Sequence, residues 1–414
     1  MPPRQVQPVP SPPRRSSPVP PSSRRRIMLV ELPPAGGLFQ FAVQLGEGLA
    51  RRGQSVRVVT GPSPELASRE QGCTVEPILP TWHPTAGADV PELWRKARRV
   101  VRAGQHHAAW VRLLLEIRRS RPDLVLWSAW RFPVDGWGVV AARRLAPWAT
   151  LGIVAHEPRP LVEQPGQDGL YNDSGPTYQA LRAAYGTVDV VYVLGERARQ
   201  VILETWPVTG PVHVIPHGDE DVFRTGAPTS AGSTAPHLVF FGTVTGYKGL
   251  DDVLAVWPRV REQVPDATFT IAGSISADVD ADALRRRVAA LPGVELRDGY
   301  VAVEDVPGIL ARARAVVLPY RRASQSGVAH LAHTFARPAV ATAVGDIPAV
   351  VQDGRTGVVV PPDDPDRLAD GIVTLLRDPD LAARLGDAGR AGLASGASWD
   401  DVAAALLDGL PDAP

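Results

Sequence analysis

The chain has 414 residues, 44% of them hydrophobic and 21% charged, and equal numbers of acidic and basic residues give a formal net charge of zero. This length predicts two domains of ordinary size, and the balanced charge gives no indication of a nucleic-acid partner. The single cysteine, Cys73, excludes an intrachain disulfide and a cysteine-rich zinc site, and no run approaches the roughly 18 to 20 apolar residues of a transmembrane helix.

Residues 1–25 are predicted to form a disordered basic tail. They are rich in Pro and Ser, contain arginines but no acidic residue, and lack the apolar stretch of a signal peptide. Together with the single cysteine, this composition predicts a cytoplasmic protein.

Residues 26–218 are predicted to form the first of two α/β domains. A buried strand at 27–32, a helix at 38–52 and a strand at 55–59 make a βαβ unit. Further strands are predicted at 123–127, 150–155, 189–194 and 212–215, which favours a Rossmann-like sheet.

A linker is predicted at 219–236, where small and turn-forming residues dominate, and a second α/β domain at 237–395. Its strands are predicted at 237–241, 267–272, 294–297, 315–318, 338–342 and 358–360, with helices at 250–263, 280–290, 306–312 and 328–335. The end, 396–414, has a capping-type helix start at Ser398, and we expect this helix to pack back on the first domain. Two doubly wound lobes place the loops after their strands in a shared cleft, where such sheets bind ligands.

The chain has only two lysines, Lys96 and Lys248, against 42 arginines. Lys248 lies on a glycine-bearing loop between a strand and a helix, where a lysine can neutralise phosphate oxygens. The sequence has no Walker A motif, and the alternative for Lys248 is a surface lysine beside a turn.

A second candidate anion site is the stretch Ser324-Gln325-Ser326-Gly327, between a strand and a helix that includes Val328. Unpaired amides at a helix N-terminus attract anions, and N-capping by Ser324 or Ser326 is a compatible alternative. Gly36 and Gly37, after the first strand, either let a ligand approach the backbone or form a simple tight turn.

His156 follows the strand at 150–155 and is predicted to orient a sugar or an acceptor hydroxyl in the cleft, unless its role is structural. Asp278 and Asp280 match a metal-binding Asp-x-Asp, but acidic residues are also expected at the helix start where they lie. His330 and His333 lack a third ligand, so we expect no metal site.

The segment 94–102 carries five basic residues, and an apolar helical stripe follows it, formed by Trp110, Leu113, Leu114 and Ile117. We favour a core-packed helix with a solvated basic face. The alternative is weak peripheral contact with an anionic membrane, at the inner face of the cell membrane.

In their order and spacing, several stretches resemble family 4 of the retaining glycosyltransferases. In the N-terminal half these are residues 36–37 with the helix that follows and its end at 52–53, then 156–158 and 215–218. In the C-terminal half they are 247–251, 319–320, 324–327 and 345–361. The resemblance implies the GT-B fold, with an acceptor-side N-terminal lobe and a C-terminal lobe that binds the nucleotide sugar.

The resemblance also implies roles for individual residues. Lys248 would neutralise the leaving diphosphate, and His156 would lie near the transferred sugar. The residues expected to bind the donor are Gly36, Gly37, Thr243, Gly299, Tyr300, Ser324, Gln325, Ser326, Gly327 and Val328.

The sequence departs from the family pattern at five positions. Thr243 stands where an Arg is common, and the Glu-x7-Glu carboxylates, which bind sugar hydroxyls and the ribose, are replaced by Ser324 and Ala332. Gln325 or His333 are candidate substitutes. Asp346 and Ala349 stand where the family prefers Gly and Glu.

We therefore expect transfer of a hexosyl group from a nucleoside-diphosphate sugar to a hydroxyl of a glycan, lipid or secondary metabolite. The nucleotide sugar would be a co-substrate, and no cofactor, metal or nucleic acid is expected. The alternatives are a sugar-nucleotide-binding protein with a decayed site and another GT-B enzyme, such as an epimerase or hydrolase. A nicotinamide dehydrogenase is disfavoured because no G-x-G-x-x-G follows the first strand.

Overall fold

The computed structural model describes residues 24–83, 92–159, 163–164, 167–168, 175–224, 226–394 and 398–411. Nearly all of the predicted tail and the side chains of residues 94–96 and 99 of the basic segment lie outside the described part. The described residues form two lobes, each built on a parallel sheet.

The N-terminal lobe contains a seven-stranded sheet with the order β3-β2-β1-β4-β5-β8-β9 and a small antiparallel pair, β6-β7. Its elements are β1 (Arg26–Val30), α1 (Gly37–Arg51), β2 (Ser55–Val59), β3 (Cys73–Glu76), α2 (Glu92–Ser120), β4 (Leu124–Trp127), α3 (Pro133–Leu145), β5 (Thr150–Ala155), β6 (Glu163–Gln164), β7 (Gln167–Asp168), α4 (Pro176–Tyr185), β8 (Val190–Val193), α5 (Glu196–Thr205) and β9 (Val212–Val214).

The C-terminal lobe contains a six-stranded sheet with the order β12-β11-β10-β13-β14-β15. Its elements, with the closing helix, are β10 (His237–Phe241), α6 (Leu250–Gln263), β11 (Thr268–Gly273), α7 (Ala281–Ala289), β12 (Val294–Asp298), α8 (Val306–Arg312), β13 (Ala315–Leu318), α9 (Gly327–Thr334), β14 (Ala339–Thr342), α10 (Ile347–Val350), β15 (Gly357–Val360), α11 (Pro365–Arg377), α12 (Pro379–Ala394) and α13 (Trp399–Asp408). The predicted strands and helices are confirmed to within two residues, whereas β3 and several helices, among them α3, α4, α5, α11 and α12, were not located.

The central strands are buried on both faces, because helices cover each sheet on two sides. β4, β5, β8, β13 and β14 are buried along their whole length, and their runs of Val, Leu, Ile and Ala are typical of parallel strands. The predicted core position of the α2 stripe is confirmed, since Trp110, Leu113 and Ile117 are buried in the N-terminal lobe.

The closing helix α13 packs against α1 of the N-terminal lobe. Ser398 begins it with a capping box, and Trp399 Nε1 donates a hydrogen bond to the Asp219 carbonyl oxygen at 2.8 Å. The Tyr192 hydroxyl of β8 donates to the Leu406 carbonyl oxygen at 2.8 Å. The chain therefore returns to its first lobe after completing the second.

Among the described helices, none combines the length and the apolar character that crossing a bilayer requires.

Candidate active site

The candidate site lies where loops of the two lobes face each other. Each of these loops follows the carboxyl end of a strand: β1, β5, β10 and β13. The Ser324 hydroxyl, after β13, is 3.1 Å from the His156 carbonyl oxygen and 2.9 Å from Glu157 Oε2, both after β5. The lobes therefore touch at this point, and the described conformation is a closed one.

Lys248 ends a short 3₁₀ helix, Gly246–Lys248, directly before α6. Its ammonium nitrogen lies 5.8 Å from the ring centroid of Tyr320 and 3.3 Å from where a Cβ on Gly242 would be. The loop is held by Asp278, whose Oδ2 accepts from the Gly246 amide at 2.8 Å. The first carboxylate of the Asp-x-Asp match thus holds the backbone of the Lys248 loop.

The second carboxylate of that match, Asp280, caps α7 by accepting from the Ala283 amide at 2.9 Å. Within the described ranges, no group of three or more His, Cys, Asp or Glu side chains has an arrangement that could hold a metal ion.

The N-terminus of α9 lies beside Lys248, because Tyr320 connects the two. The Tyr320 hydroxyl is 3.5 Å from Ser326 Oγ, and Ser326 caps α9 by accepting from the Ala329 amide. A Cβ at Gly327 would be 3.7 Å from both Glu220 Oε1 and His217 Nε2, an ordinary contact distance. The first α9 amides, at the positive end of the helix dipole, and the Lys248 ammonium together form a positively charged site that can bind an anion.

His156 is buried and carries no charge at neutral pH. Burial, and secondarily the charge of His217, lowers its pKa to about 3. Its ring meets Phe41 edge-on at a centroid distance of 4.5 Å, and its Nε2 has no hydrogen-bond partner among the described groups. A neutral imidazole in this position can hydrogen-bond a ligand hydroxyl but cannot neutralise a phosphate.

A group of buried residues beneath the site was not predicted. His217 lies 5.4 Å from Phe41 and stacks on His330 at 4.2 Å between ring centroids. Burial raises the pKa of Glu220 to about 8, while Gln44 donates to its Oε2 at 3.4 Å and so acts in the opposite direction. His217 belongs to the 215–218 stretch that resembles the family pattern, so the sequence could have indicated it as a site residue. No sequence pattern marks Glu220 or Gln44.

Another contact between the lobes links Gly36 to Tyr300 through Glu65. The Gly36 amide and the Gln40 side-chain amide both donate to Glu65 Oε1 at 2.8 Å, and the Tyr300 hydroxyl donates to Glu65 Oε2. Gly36 has a φ of 96°, a conformation that favours glycine, whereas Gly37 does not need it. Tyr300 and Gly299 also line a cavity of about 600 Å³ after β12.

A cavity of about 500 Å³ opens on the N-terminal side of the cleft. Its wall is about as polar as it is apolar and contains several aromatic rings, and its lining includes Trp130, Phe132, Tyr185, Tyr247, Arg131, His156, Glu157 and Gln325. Asp135 holds the loop before α3 by accepting from the amides of Arg131 at 2.7 Å and Phe132 at 2.8 Å.

The other predicted site residues have different surroundings. Thr243 is exposed on the loop after β10, and Val328 lies 3.8 Å from where a Cβ on Gly242 would be. Gln325 faces the aromatic cavity. His333 is wrong as a substitute for the missing carboxylate: its ring packs against Gly389 of α12 in the interior of the lobe and is 2% exposed.

Two family models match the chain, one in each lobe. "Glycosyltransferase Family 4" matches residues 35–219, and "Glycosyl transferases group 1" matches residues 235–378. The alpha-maltose-1-phosphate synthase of Mycolicibacterium smegmatis is 29% identical over 251 residues, which are 55% of this chain and 64% of that enzyme. Three such curated relatives are matched over 39 to 64% of their length, so this chain spans less than two thirds of each.

Solved structures share the fold over nearly the whole chain. The sucrose-phosphate synthase of Thermosynechococcus elongatus is 20% identical with a TM-score of 0.69, covering 93% of this chain and 98% of that one. The Anabaena protein HepE in complex with UDP-glucose is 16% identical with a TM-score of 0.66, covering 94% and 100%. The predicted GT-B fold is thereby confirmed.

Proposed function

We propose that this chain, a glycosyltransferase with one matching domain in each lobe, is of the family 4 type and moves a hexosyl group from a nucleoside-diphosphate sugar to an acceptor hydroxyl with retention of configuration. The observation that carries this proposal is the pairing of Lys248 with the α9 N-terminus, opposite the neutral His156. A diphosphate bound there would lie beside a group that can bind a sugar hydroxyl.

The chemistry follows from the charges that develop during the reaction. The bond between the sugar C1 and the diphosphate oxygen breaks, and negative charge grows on that oxygen. The Lys248 ammonium and the first α9 amides stabilise this charge, which is the main catalytic contribution we propose. The acceptor oxygen bonds to C1 on the same face, and its proton passes to the departing diphosphate.

We assign the remaining parts of the donor and the acceptor to two cavities. The base would occupy the cavity that Gly299 and Tyr300 line, and HepE, solved with UDP-glucose, supports a sugar nucleotide as donor. The acceptor would enter the aromatic cavity, since aromatic faces beside polar groups suit a ligand that has both apolar surface and hydroxyls. We propose no metal for this step, because Asp278 and Asp280 already serve the loop and the α7 cap.

A donor screen followed by product analysis tests the proposal. The thermal unfolding midpoint would be measured with UDP-, GDP- and dTDP-sugars in EDTA, since a ligand that binds the folded state stabilises it by mass action. A stabilising donor would then be incubated with candidate glycans, lipids and phenols, and the products assigned by proton NMR. The proposal requires an α-linked product from an α-linked donor.

Other outcomes would select the competing functions. Isomerised donor without acceptor would establish an epimerase, and release of free sugar alone would establish a hydrolase. Binding of a donor with no turnover on any acceptor would favour a decayed site. Stabilisation by none of the sugar nucleotides would overturn the proposed function.

A further inference from the structure

The carboxylate of Glu157 has no role in the chemistry above, although it lies at the centre of the cleft. It lines both the aromatic cavity and a second interlobe cavity of about 370 Å³. The second cavity is bordered by four arginines, Arg159, Arg197, Arg321 and Arg322. A ligand group at the junction of these two spaces would meet this carboxylate first.

Basic groups surround the Glu157 carboxyl. Its side chain reaches solvent on the cleft side, while the cleft walls desolvate the carboxyl and raise its pKa to about 7. The hydrogen bond from Ser324 and the charges of Arg131, Arg322 and Lys248 oppose that rise. A sugar hydroxyl that donated to the carboxylate would favour the ionised form further.

The contact with Ser324 fixes where the carboxylate lies relative to the α9 N-terminus. Ser324 is two residues before Ser326, the α9 cap, and its hydroxyl is 2.9 Å from Glu157 Oε2. A carboxylate of the N-terminal lobe is thus held directly above the first residue of the candidate donor loop.

We propose that Glu157 and Ser324 together form the subsite that binds a hydroxyl of the transferred sugar. A carboxylate accepts from several hydroxyls at once, and the serine hydroxyl, which donates to that carboxylate, can accept from a sugar hydroxyl. The two residues belong to different lobes, so the subsite exists only when the cleft is closed. Sugar recognition and closure are thereby coupled. This inference rests on the proposed function, because it names the part of the donor that the pair contacts.

The test compares variants that remove or relocate the carboxylate. Glu157→Gln and Ser324→Ala remove one partner each. The double variant Glu157→Ser with Ser324→Glu exchanges the two side chains between lobes, and Glu157→Ser alone is its reference. Glu204→Gln, on the exposed end of α5, is the matched control for loss of a carboxylate. Turnover of the donor found in the screen would be measured for all variants, together with affinity for the free nucleoside diphosphate.

We expect Glu157→Gln to lower kcat/KM for the donor by about 10- to 100-fold, the usual effect of losing hydrogen bonds to a charged group. Binding of the free nucleoside diphosphate should stay within about twofold, because it has no sugar. A deoxy-sugar donor that lacks the recognised hydroxyl should lose activity with wild type but not with Glu157→Gln. The exchange variant should recover part of the activity that Glu157→Ser loses.

Three results would overturn the inference. They are unchanged donor kinetics in Glu157→Gln, an equal loss of affinity for the free nucleoside diphosphate, or a folded exchange variant no better than Glu157→Ser. A structural role in lobe closure alone would weaken nucleotide and donor equally. Failure of the proposed function is seen separately, since wild type would then turn over no sugar nucleotide at all.

Discussion

Four histidine rings are buried in or beneath the cleft: His156, His217, His330 and His333. Burial lowers the pKa of His156 to about 3 and those of His217 and His333 to about 4, and it holds that of His330 well below its usual value. All four are neutral in the folded protein at neutral pH. Each therefore binds a proton more readily in the unfolded chain, and acidification from pH 6.5 to about 4 favours unfolding.

Buried carboxyls act in the opposite direction over part of this range. The pKa of Glu31 is raised to about 7 and that of Glu220 to about 8, mainly by burial. Their folded forms bind protons that the unfolded chain releases above pH 4.5, so they favour the folded state as the pH falls from 8. Between pH 6.5 and 4.5 they therefore offset part of the stability that the histidines lose, and below pH 4.5 they no longer do.

The substitution His333→Gln isolates the contribution of one buried histidine to this pH dependence. Its ring packs inside the lobe, and the pKa difference predicts that wild type loses about 2 kcal/mol relative to the variant between pH 7 and pH 5. Urea unfolding of both proteins at the two pH values measures this. A difference in unfolding free energy that does not change with pH would contradict the assignment.

Two glycines of the site can carry a side chain without a steric penalty. A Cβ on Gly37 would have no neighbour within 4 Å, and one on Gly327 would meet atoms only at 3.7 Å. Gly37→Ala and Gly327→Ala should therefore leave stability unchanged or raise it by up to about 1 kcal/mol. If the diphosphate lies against these amides, however, the donor KM should rise by about tenfold or more.

Gly104→Ala is the matched control, because Gly104 lies in α2 with open space around its Cα. We expect this variant to keep the wild-type donor KM. Equal donor KM in all three variants, with normal stability, would mean that neither glycine lies against the donor.

At the scale of elements, the apolar runs of the sequence predicted the strands and their order along the chain. The elements that were missed are those with a mixed pattern, such as β3, which is only partly buried, and the helices α3 and α5. The start of α13 was predicted from Ser398 because capping is local. Contacts such as Tyr300 to Glu65 join residues 235 positions apart, and Glu65 has no local pattern that marks it.

The packing of α13 on α1 depends on a glycine inside α1. A Cβ on Gly48 would be 2.3 Å from the Trp399 carbonyl oxygen, a backbone atom that cannot move freely. Gly48→Ala should therefore destabilise the protein by about 1 to 3 kcal/mol, although alanine normally stabilises a helix interior. Urea unfolding measures the effect, with Gly104→Ala in α2 as a control of the opposite sign. A stabilised Gly48→Ala variant would show that α13 does not pack here.

At the scale of the whole molecule, the closed cleft is held partly by Asp346 of the C-terminal lobe. Its carboxylate accepts from the amides of Arg197 and Ala198, both at 3.2 Å, at the N-terminus of α5 in the other lobe. A Cβ at Gly195 would lie 2.2 Å from Asp346 Oδ2, so glycine permits this approach. The negative charge also complements the helix dipole of α5.

Asp346→Ala should therefore shift the protein toward an open form. We expect a larger radius of gyration in X-ray scattering without donor, and a return toward the wild-type value with saturating donor, because the ligand contacts both lobes. Asp282→Ala, whose carboxylate pairs with Arg285 of the same lobe, is the control. An unchanged scattering profile in Asp346→Ala would remove this contact from the closure mechanism.

The two-lobed fold and the cleft followed from the order of strands and helices, whereas much of the chemistry inside the cleft did not. Lys248, Ser326 and His156 were predicted because local patterns mark them. Glu157 and Glu220 acquire their surroundings only when the lobes come together. Sequence patterns locate the loops of such a site better than the partners that those loops meet.

The most direct test of the central claim is the rate of nucleoside diphosphate release by Lys248→Ala. The comparison is with wild type and with Lys96→Ala, a change at the only other lysine. We predict that Lys248→Ala lowers the rate about 100-fold or more with little change in thermal unfolding midpoint, because the developing charge loses its ammonium partner. Lys96→Ala should keep the wild-type rate. A folded Lys248→Ala variant that releases nucleoside diphosphate at the wild-type rate would contradict the account.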